Sequence, residues 1–507
     1  MDGLSRKIYL ELKEPSREDA ASSQERILRA LRADYGEVYM PCRILRMLYP
    51  ICEEADWRLT VSLGWNGGRW EVIKMEKGDT SAAHYGMCAD LGSTTVAVQM
   101  IDLCTGEILA SSSVYNRQTA FGGDILTRIF YTKDHPEHLD EIRQATIDTF
   151  TDAFADLQRQ TGIPPEACTA MTVAGNMTMI HFLIGMDPFG VFSAPYAVRA
   201  DRPDFLPAEE LGFPFHGYVY CYPGRANYLG GDIISGIIAS GIARKEEICV
   251  FLDIGTNGEL VVGNREFLLC GAGAAGPALE GGSVKTGMCA RTGAVQHVRM
   301  DGRQFICDVI GGGEAKGICG SGIVDLIAEL FLHGWVDIRG RFVPEASDRI
   351  VEREGEYAVE YAPSLYFYQC DLDEFLSTKA AAATMVEYMM NLIGLSMQDV
   401  GEFQVAGAFG AYIDKESAVA IGLYPDLDRS RLISAGNTSL KGAYEMLLHK
   451  EYLAEAADIL DRMEYVQFGE VEDFIQLMGA ARALPHTDLS RYPSVVEKLR
   501  KNGIPGV

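Results

Sequence analysis

Apolar and polar positions alternate along this chain in two periods, and each change of period marks a change of element. Ile8, Leu10 and Leu12 alternate with polar neighbours and predict a strand, closed by Pro15. Ile27, Leu28 and Leu31 recur at helical spacing, and the capping pattern of Ser16 and Asp19 predicts that this helix begins at Ser16. A second short helix is expected over 44–48. Strands are expected over 57–63 and 70–75, with Asn66, Gly67 and Gly68 suited to a hairpin turn between them. Residues 1–83 thus read as a small α/β unit that ends in a polar linker at 77–81.

From Tyr85 onward glycine becomes denser and the chain repeats itself. Cys88-Ala89-Asp90-Leu91-Gly92-Ser93-Thr94-Thr95-Val96 reads as strand, glycine turn and second strand, with a third strand over 107–113. The segment 250–262 follows the same plan around Asp253, Gly255, Thr256, Asn257 and Gly258, with a further strand over 267–271. Helical spacing fills 137–159, 232–243, 323–332, 376–395 and 440–449. A repeated strand–turn–strand separated by helices predicts two similar α/β lobes in tandem, 84–247 and 248–485, and a C-terminal tail, 486–507. A helix over 455–463, a strand over 465–468 and a helix over 471–484 are expected to pack on the second lobe.

Composition narrows the function classes. The 507 residues have room for several hydrophobic cores, and 45 Lys and Arg against 71 Asp and Glu give a formal charge of −26. Such a surface argues against non-specific nucleic-acid binding and against an anionic membrane, since both need basic clusters. No stretch approaches the roughly 20 apolar residues of a membrane span, and residues 1–14 lack the apolar core of a signal peptide, so the cytoplasm is the expected compartment. None of the 12 cysteines forms a C-x-x-C pair, and reduced, mostly buried thiols are expected in place of a disulfide, zinc or iron–sulfur framework.

The candidate chemistry lies in the repeated turns. An Asp at the end of a buried strand needs a partner, and a Gly two residues on lets the backbone turn so that its N–H groups and the following hydroxyls face one point. A nest of donors beside a carboxylate suits a phosphate with its Mg²⁺. Asp90 with Gly92, Ser93, Thr94 and Thr95 has this composition, and Asp253 with Gly255, Thr256, Asn257 and Gly258 repeats it. One such motif also fits an ordinary hairpin turn; two at matching places in two lobes suit a nucleotide clamped from both sides. In 403–410 an apolar strand runs into Gly407, Ala408 and Gly410, ahead of a helix expected near Ile413. Small residues there either admit a flat ring to the backbone or make a tight packing turn. The Gly-Asn turns at 173–177 and 436–442 read as connectors between lobes. Asp232, after Gly230 and Gly231, reads as a helix N-cap or a cleft carboxylate. Lys285 reads as a phosphate contact or a solvated lysine, and His135 and His138 have metal-compatible spacing within a charged loop.

Phosphate hairpin, connector, phosphate hairpin, adenosine turn and connector, in this order, resemble the superfamily of acetate and sugar kinases, heat-shock chaperone ATPases and actin. Further motifs make the resemblance closer: Asn116-Arg117-Gln118 with Gly123-Asp124, Gly175-Asn176-Met177-Thr178-Met179, the run 276–281, the run 317–322 with Asp325, and the run 406–410. Together they resemble the ATPase portion of the reductive activators of corrinoid proteins, and residues 1–83 resemble that family's linker and middle region. The resemblance implies an α/β fold: a two-lobed actin-like ATPase of duplicated ribonuclease H-like lobes with a small N-terminal α/β domain. It implies a task as well, returning the corrinoid of a methyltransferase system from Co(II) to Co(I) with the help of ATP hydrolysis.

By the same resemblance Asp90 and Asp253 face Mg²⁺ and its water shell, and Glu280 binds the ribose or the attacking water. Gly92, Ser93, Thr94, Thr95, Gly255, Thr256, Asn257 and Gly258 contact the nucleotide phosphates, Asp232 belongs to the nucleotide site as a cleft carboxylate, and Gly407, Ala408 and Gly410 border adenine. The corrinoid protein is the implied partner and a homodimer the implied assembly. The sequence departs from the family in one respect: the cysteine spacing of a two-iron ferredoxin domain is missing. No iron–sulfur cluster is therefore expected in this chain, and electrons are expected from a separate ferredoxin or other reductant. A small-molecule kinase and a nucleotide-gated binding module remain as alternatives that use the same nucleotide residues. An activator of the dehydratase type would need cluster-binding cysteines, for which Cys270 and Cys289 are the candidates.

Overall fold

The computed structural model describes residues 2–193, 197–225, 229–255, 258–273, 282, 284–468 and 474–504, without the side chains of Phe192, Ala408 and Phe409. The chain divides into two units, Met1–Ala239 with Thr438–Asp461, and Ser240–Asn437 with Arg462–Val507.

In the first unit, β1 (Ser5–Glu11), β2 (Val38–Tyr39), β3 (Arg58–Trp65) and β4 (Trp70–Lys77) form a four-stranded sheet in the order β1-β3-β4-β2. Strand alternation gathers Leu59, Val61 and Leu63 with Trp70 and Val72 in one core, closed by two helices. The first helix is Ser23–Tyr35 and does not begin at Ser16. Ser16 and Asp19 instead close a local turn, the Ser16 hydroxyl accepting the Asp19 N–H at 3.1 Å. The cap falls to Ser22, which accepts the Glu25 N–H at 3.1 Å, because the same pattern recurs there just ahead of the apolar stripe. The second helix, Cys42–Glu54, runs past Pro50 because Ile44, Leu48, Ile51 and Cys52 continue one buried stripe.

β5 (Tyr85–Leu91), β6 (Thr95–Asp102) and β7 (Ile108–Tyr115) form the expected antiparallel meander. β8 (Cys168–Gly175) pairs with β5 in parallel, β10 (Tyr218–Cys221) pairs with β8 in parallel, and β9 (Asp204–Pro207) closes the edge. The order is β7-β6-β5-β8-β10-β9. Met87, Ala89 and Leu91 join the core that the helix Pro136–Thr161 covers. Alternation leaves Cys88 and Asp90 on the opposite face, with the helix Thr438–Leu448.

The second unit repeats this plan. β11 (Ile248–Ile254), β12 (Gly258–Gly263) and β13 (Leu268–Gly273) form a meander. Two three-stranded sheets follow, one of β14 (Ala294–Asp301), β15 (Gln304–Val309) and β16 (Gly317–Ile318), the other of β17 (Ile350–Arg353), β18 (Glu356–Ala362) and β19 (Leu365–Tyr368). β20 (Val400–Ala406) then pairs with β11 in parallel, and β21 (Leu432–Gly436) with β20. With β22 (Met463–Tyr465) at the far edge, the order is β21-β20-β11-β12-β13-β22. Strand for strand, β13-β12-β11-β20-β21 reproduces β7-β6-β5-β8-β10.

The helix expected near Ile413 begins earlier, as Gly407–Tyr412 directly off β20, and a separate helix, Lys415–Ala420, follows its own Asp414 cap. Of the three C-terminal elements expected together, β22 and the helix Phe474–Ala481 lie in the second unit, whereas Tyr452–Arg462 lies in the first as far as Asp461. Among the described residues no helix is long and apolar enough to cross a membrane.

Candidate functional site

β5 and β8 are adjacent and parallel, and their carboxyl ends are in register at Leu91 and Gly175. Ligands of open α/β sheets bind at such ends. Asp90 is half-buried there and accepts a hydrogen bond from the Ser439 hydroxyl at 2.8 Å. In the turn that follows, three consecutive carbonyls are engaged from within: Gly92 O by Asn116 Nδ2 at 2.8 Å, Ser93 O by Arg128 Nη1 at 2.6 Å, and Thr94 O by the Asn116 backbone N–H at 2.8 Å. The N–H groups of Ser93 and Thr94 and the hydroxyls of Ser93, Thr94 and Thr95 have no partner among the described residues. The turn therefore carries an excess of donors, the chemistry an anion needs. Gly92 is required by close approach, since a Cβ there would lie 2.5 Å from Thr95 O.

Two further turns join this end of the sheet. Asn176 caps the helix Met177–Ile184, accepting the Met179 N–H at 3.0 Å. Gly230 packs on the Asn176 backbone without room for a Cβ. That packing brings in Asp232, in the first turn of the helix Gly231–Ser240, whose Oδ1 accepts the Ile233 N–H at 2.9 Å.

In the second unit Asp253 lies one residue from the end of β11, in register with Glu259 and Ala406. Gly407 has φ +84°, and a Cβ there would lie 2.7 Å from Ile254 O and 2.8 Å from Asp253 Oδ1. The turn out of β20 thus presses directly on the Asp253 carboxylate. Gly410 sits where a Cβ would lie 2.9 Å from Val405 O, and Gly255 leads to Gly258, which opens β12 opposite Ile254. Thr256, Asn257, Glu280 and the side chain of Ala408 lie outside the described residues.

Other sequence candidates have different surroundings. Lys285 pairs with Glu354 and Glu356, each at 3.0 Å, and lies over the Tyr368 ring, so its ammonium is engaged by two carboxylates and is not freely solvated. His135, Glu137 and His138 offer ligand atoms within 4.8 Å of one another, but the His138 ring stacks on Tyr131 and its Nδ1 meets Tyr131 O at 2.8 Å. Among the described residues no disulfide joins the 12 cysteines, and seven of them are buried; burial pushes the Cys52 thiol up to about 11 and those of Cys168 and Cys221 up to about 12. Of the two candidates for cluster ligands, Cys270 is buried and Cys289 exposed. Ser439, Asn116 and Arg128 are not among the site residues expected from the sequence, although Asn116 lies in a motif that carries the family resemblance and Ser439 in the 436–442 connector. Arg128 carried a signal, a lone charge among Ile125, Leu126, Ile129 and Phe130; Ser439 carried none, because its partner is remote in the chain.

Three family models match successive parts of the chain: the RACo linker region over residues 1–82, the RACo middle region over residues 85–245, and the C-terminal domain of RACo, the ASKHA domain, over residues 247–496. Among solved structures, a reductive activator for a corrinoid, iron-sulfur protein shares 33% identity, covering 97% of this chain and 81% of its own, with a TM-score of 0.89. The corrinoid activation enzyme RamQ of Eubacterium limosum is 31% identical over 385 residues, which are 72% of this chain and 65% of RamQ. A [Co(II) methylated amine-specific corrinoid protein] reductase of Methanosarcina barkeri is 23% identical over 417 residues, 75% of this chain and 73% of its own. The chain thus spans just under two thirds of RamQ. The duplicated α/β sheets are those of the actin-like ASKHA ATPase fold, which implies nucleotide binding. Within that fold the chain belongs to the RACo family, the reductive activators of corrinoid proteins.

Proposed function

We propose that this chain is an ATP-dependent reductive activator of a corrinoid protein. ATP binding and hydrolysis by the chain assist the one-electron reduction of its partner's corrinoid from Co(II) to Co(I), the electron coming from a separate ferredoxin or other reductant. The observation that carries the reading is the repeated Asp and glycine turn, Asp90 and Asp253 each near the carboxyl end of a central strand, in a chain similar to a reductive activator over 97% of its length.

ATP with Mg²⁺ suits the described residues, because the turn after Asp90 has surplus N–H and hydroxyl donors beside a half-buried carboxylate. Asp90 and Asp253 would hold the metal, directly or through water. Gly92, Ser93, Thr94, Thr95, Gly255 and Gly258 would hold the phosphates, and Gly407 and Gly410 would border the base. Bound Mg²⁺ neutralises charge on the phosphate being transferred. On a one-electron couple about 59 mV corresponds to roughly 1.4 kcal/mol, so a nucleotide state that binds the partner's Co(I) form about tenfold more tightly than its Co(II) form is enough to shift the electron transfer by that amount. A separate electron source is supported by cysteines without cluster spacing, and the reading includes a cytoplasmic homodimer.

The test is ATP turnover. Adding a Co(II) corrinoid protein raises the rate of phosphate release; an unchanged rate, or γ-phosphate recovered on a small-molecule acceptor, overturns the reading.

A further inference from the structure

Arg128 is fully buried in the helix Ile125–Thr132, yet no carboxylate of the described residues pairs with it. Its Nε donates to Gly122 O at 2.9 Å, and its Nη1 donates to Ser93 O at 2.6 Å and to Gln118 Oε1 at 3.3 Å. Its Nη2 is buried without a hydrogen-bond partner. Asp124, one helical turn earlier, directs its carboxylate to the Thr127 N–H and hydroxyl at 2.8 and 2.7 Å. Removing a guanidinium from water without an anion to meet it is costly. The neighbours that hold it are themselves buried: Gln118 is anchored on the Thr146 hydroxyl at 2.6 Å, and Asn116 engages the carbonyls on either side of Ser93.

A turn whose carbonyls are all drawn to one side presents its N–H groups on the other, which is the arrangement of an anion nest. We propose that Arg128 is a positioning residue for polyphosphate: from beneath the 92–94 turn it fixes Ser93 O inward, so that the turn's donors face the ligand, and it adds a buried positive charge to their field. The inference rests on the phosphate reading of that turn. It assigns binding of the phosphate chain, not of the nucleoside, to a residue that need not touch the ligand.

Isothermal titration of the full chain with ATP and with adenosine tests it, on the wild type, Arg128→Met and Arg128→Lys. Arg128→Met is expected to weaken ATP binding at least tenfold, about 1.4 kcal/mol, while adenosine affinity stays within twofold. Arg128→Lys, which keeps the charge and loses the fork, is expected to lose ATP affinity at least threefold with adenosine again unchanged, and it decides the matter if the Met variant does not fold. Unchanged ATP affinity, or equal losses for ATP and adenosine, overturns the role of Arg128 and leaves the phosphate reading standing. A wild-type chain that binds no ATP overturns the phosphate reading itself and, with it, the inference.

Discussion

Ser439 Oγ donates a hydrogen bond to Asp90 Oδ1 at 2.8 Å across 349 positions of sequence. This bond ties the carboxylate to the helix Thr438–Leu448. Outer-shell partners of this kind typically matter 10- to 100-fold. Ser439→Ala is expected to lower kcat for ATP hydrolysis about tenfold with little change in Tm, and Asp90→Ala by about 10²-fold or more. Steady-state kinetics separates the two; equal and small effects would detach Asp90 from turnover.

Gly407 and Asp253 are coupled in the other unit. A methyl at Gly407 meets Asp253 Oδ1 at 2.8 Å and must adopt φ +84°. Gly407→Ala is therefore expected to weaken Mg·ATP binding and to destabilise the chain by about 1 kcal/mol or more. Asp253→Ala is expected to cost turnover about 10²-fold while leaving Tm nearly unchanged. Nucleotide titrations and thermal melts give both readouts.

His84 predicts the pH response of the first unit. It is buried, its Nε2 lies 3.0 Å from the Ser5 hydroxyl, and burial, reinforced by Lys7 and Arg6, pulls its pKa down to about 4. The unfolded chain, with a value near 6.5, binds the proton first. Stability from this group is therefore complete above pH 6.5 and is lost as pH falls through 4, amounting to about 3 kcal/mol. Urea titrations between pH 7 and 4 are expected to show this loss, and His84→Gln is expected to flatten it.

Lys379 stabilises the C-terminal segment. Fully buried, it donates to Ala481 O, Ala483 O and Pro485 O at 2.5, 2.6 and 2.7 Å. Burial pulls its pKa down, while three carbonyl acceptors favour the ammonium. Lys379→Met leaves those carbonyls without their donor and is expected to cost about 3 kcal/mol or more in urea unfolding; a change below about 1 kcal/mol would contradict the clamp.

The duplication was legible in the sequence because it is local: strand period, Asp and glycine turn recur together around Asp90 and Asp253. Element starts were less legible where two signals overlapped, as with Ser16 and Ser22. The helix after β20 begins ahead of the position its composition suggests because the positive φ of Gly407 redirects the chain at once. Ser439, Asn116 and Arg128 needed the fold, since a carbonyl held from beneath leaves no periodic trace.

The visible spectrum of a Co(II) corrinoid protein, mixed with this chain and a low-potential reductant, tests the central claim most directly. The Co(I) band is expected to develop when ATP is present and to stay at background without it. Co(I) formed equally with and without ATP, or in neither case, would contradict the account.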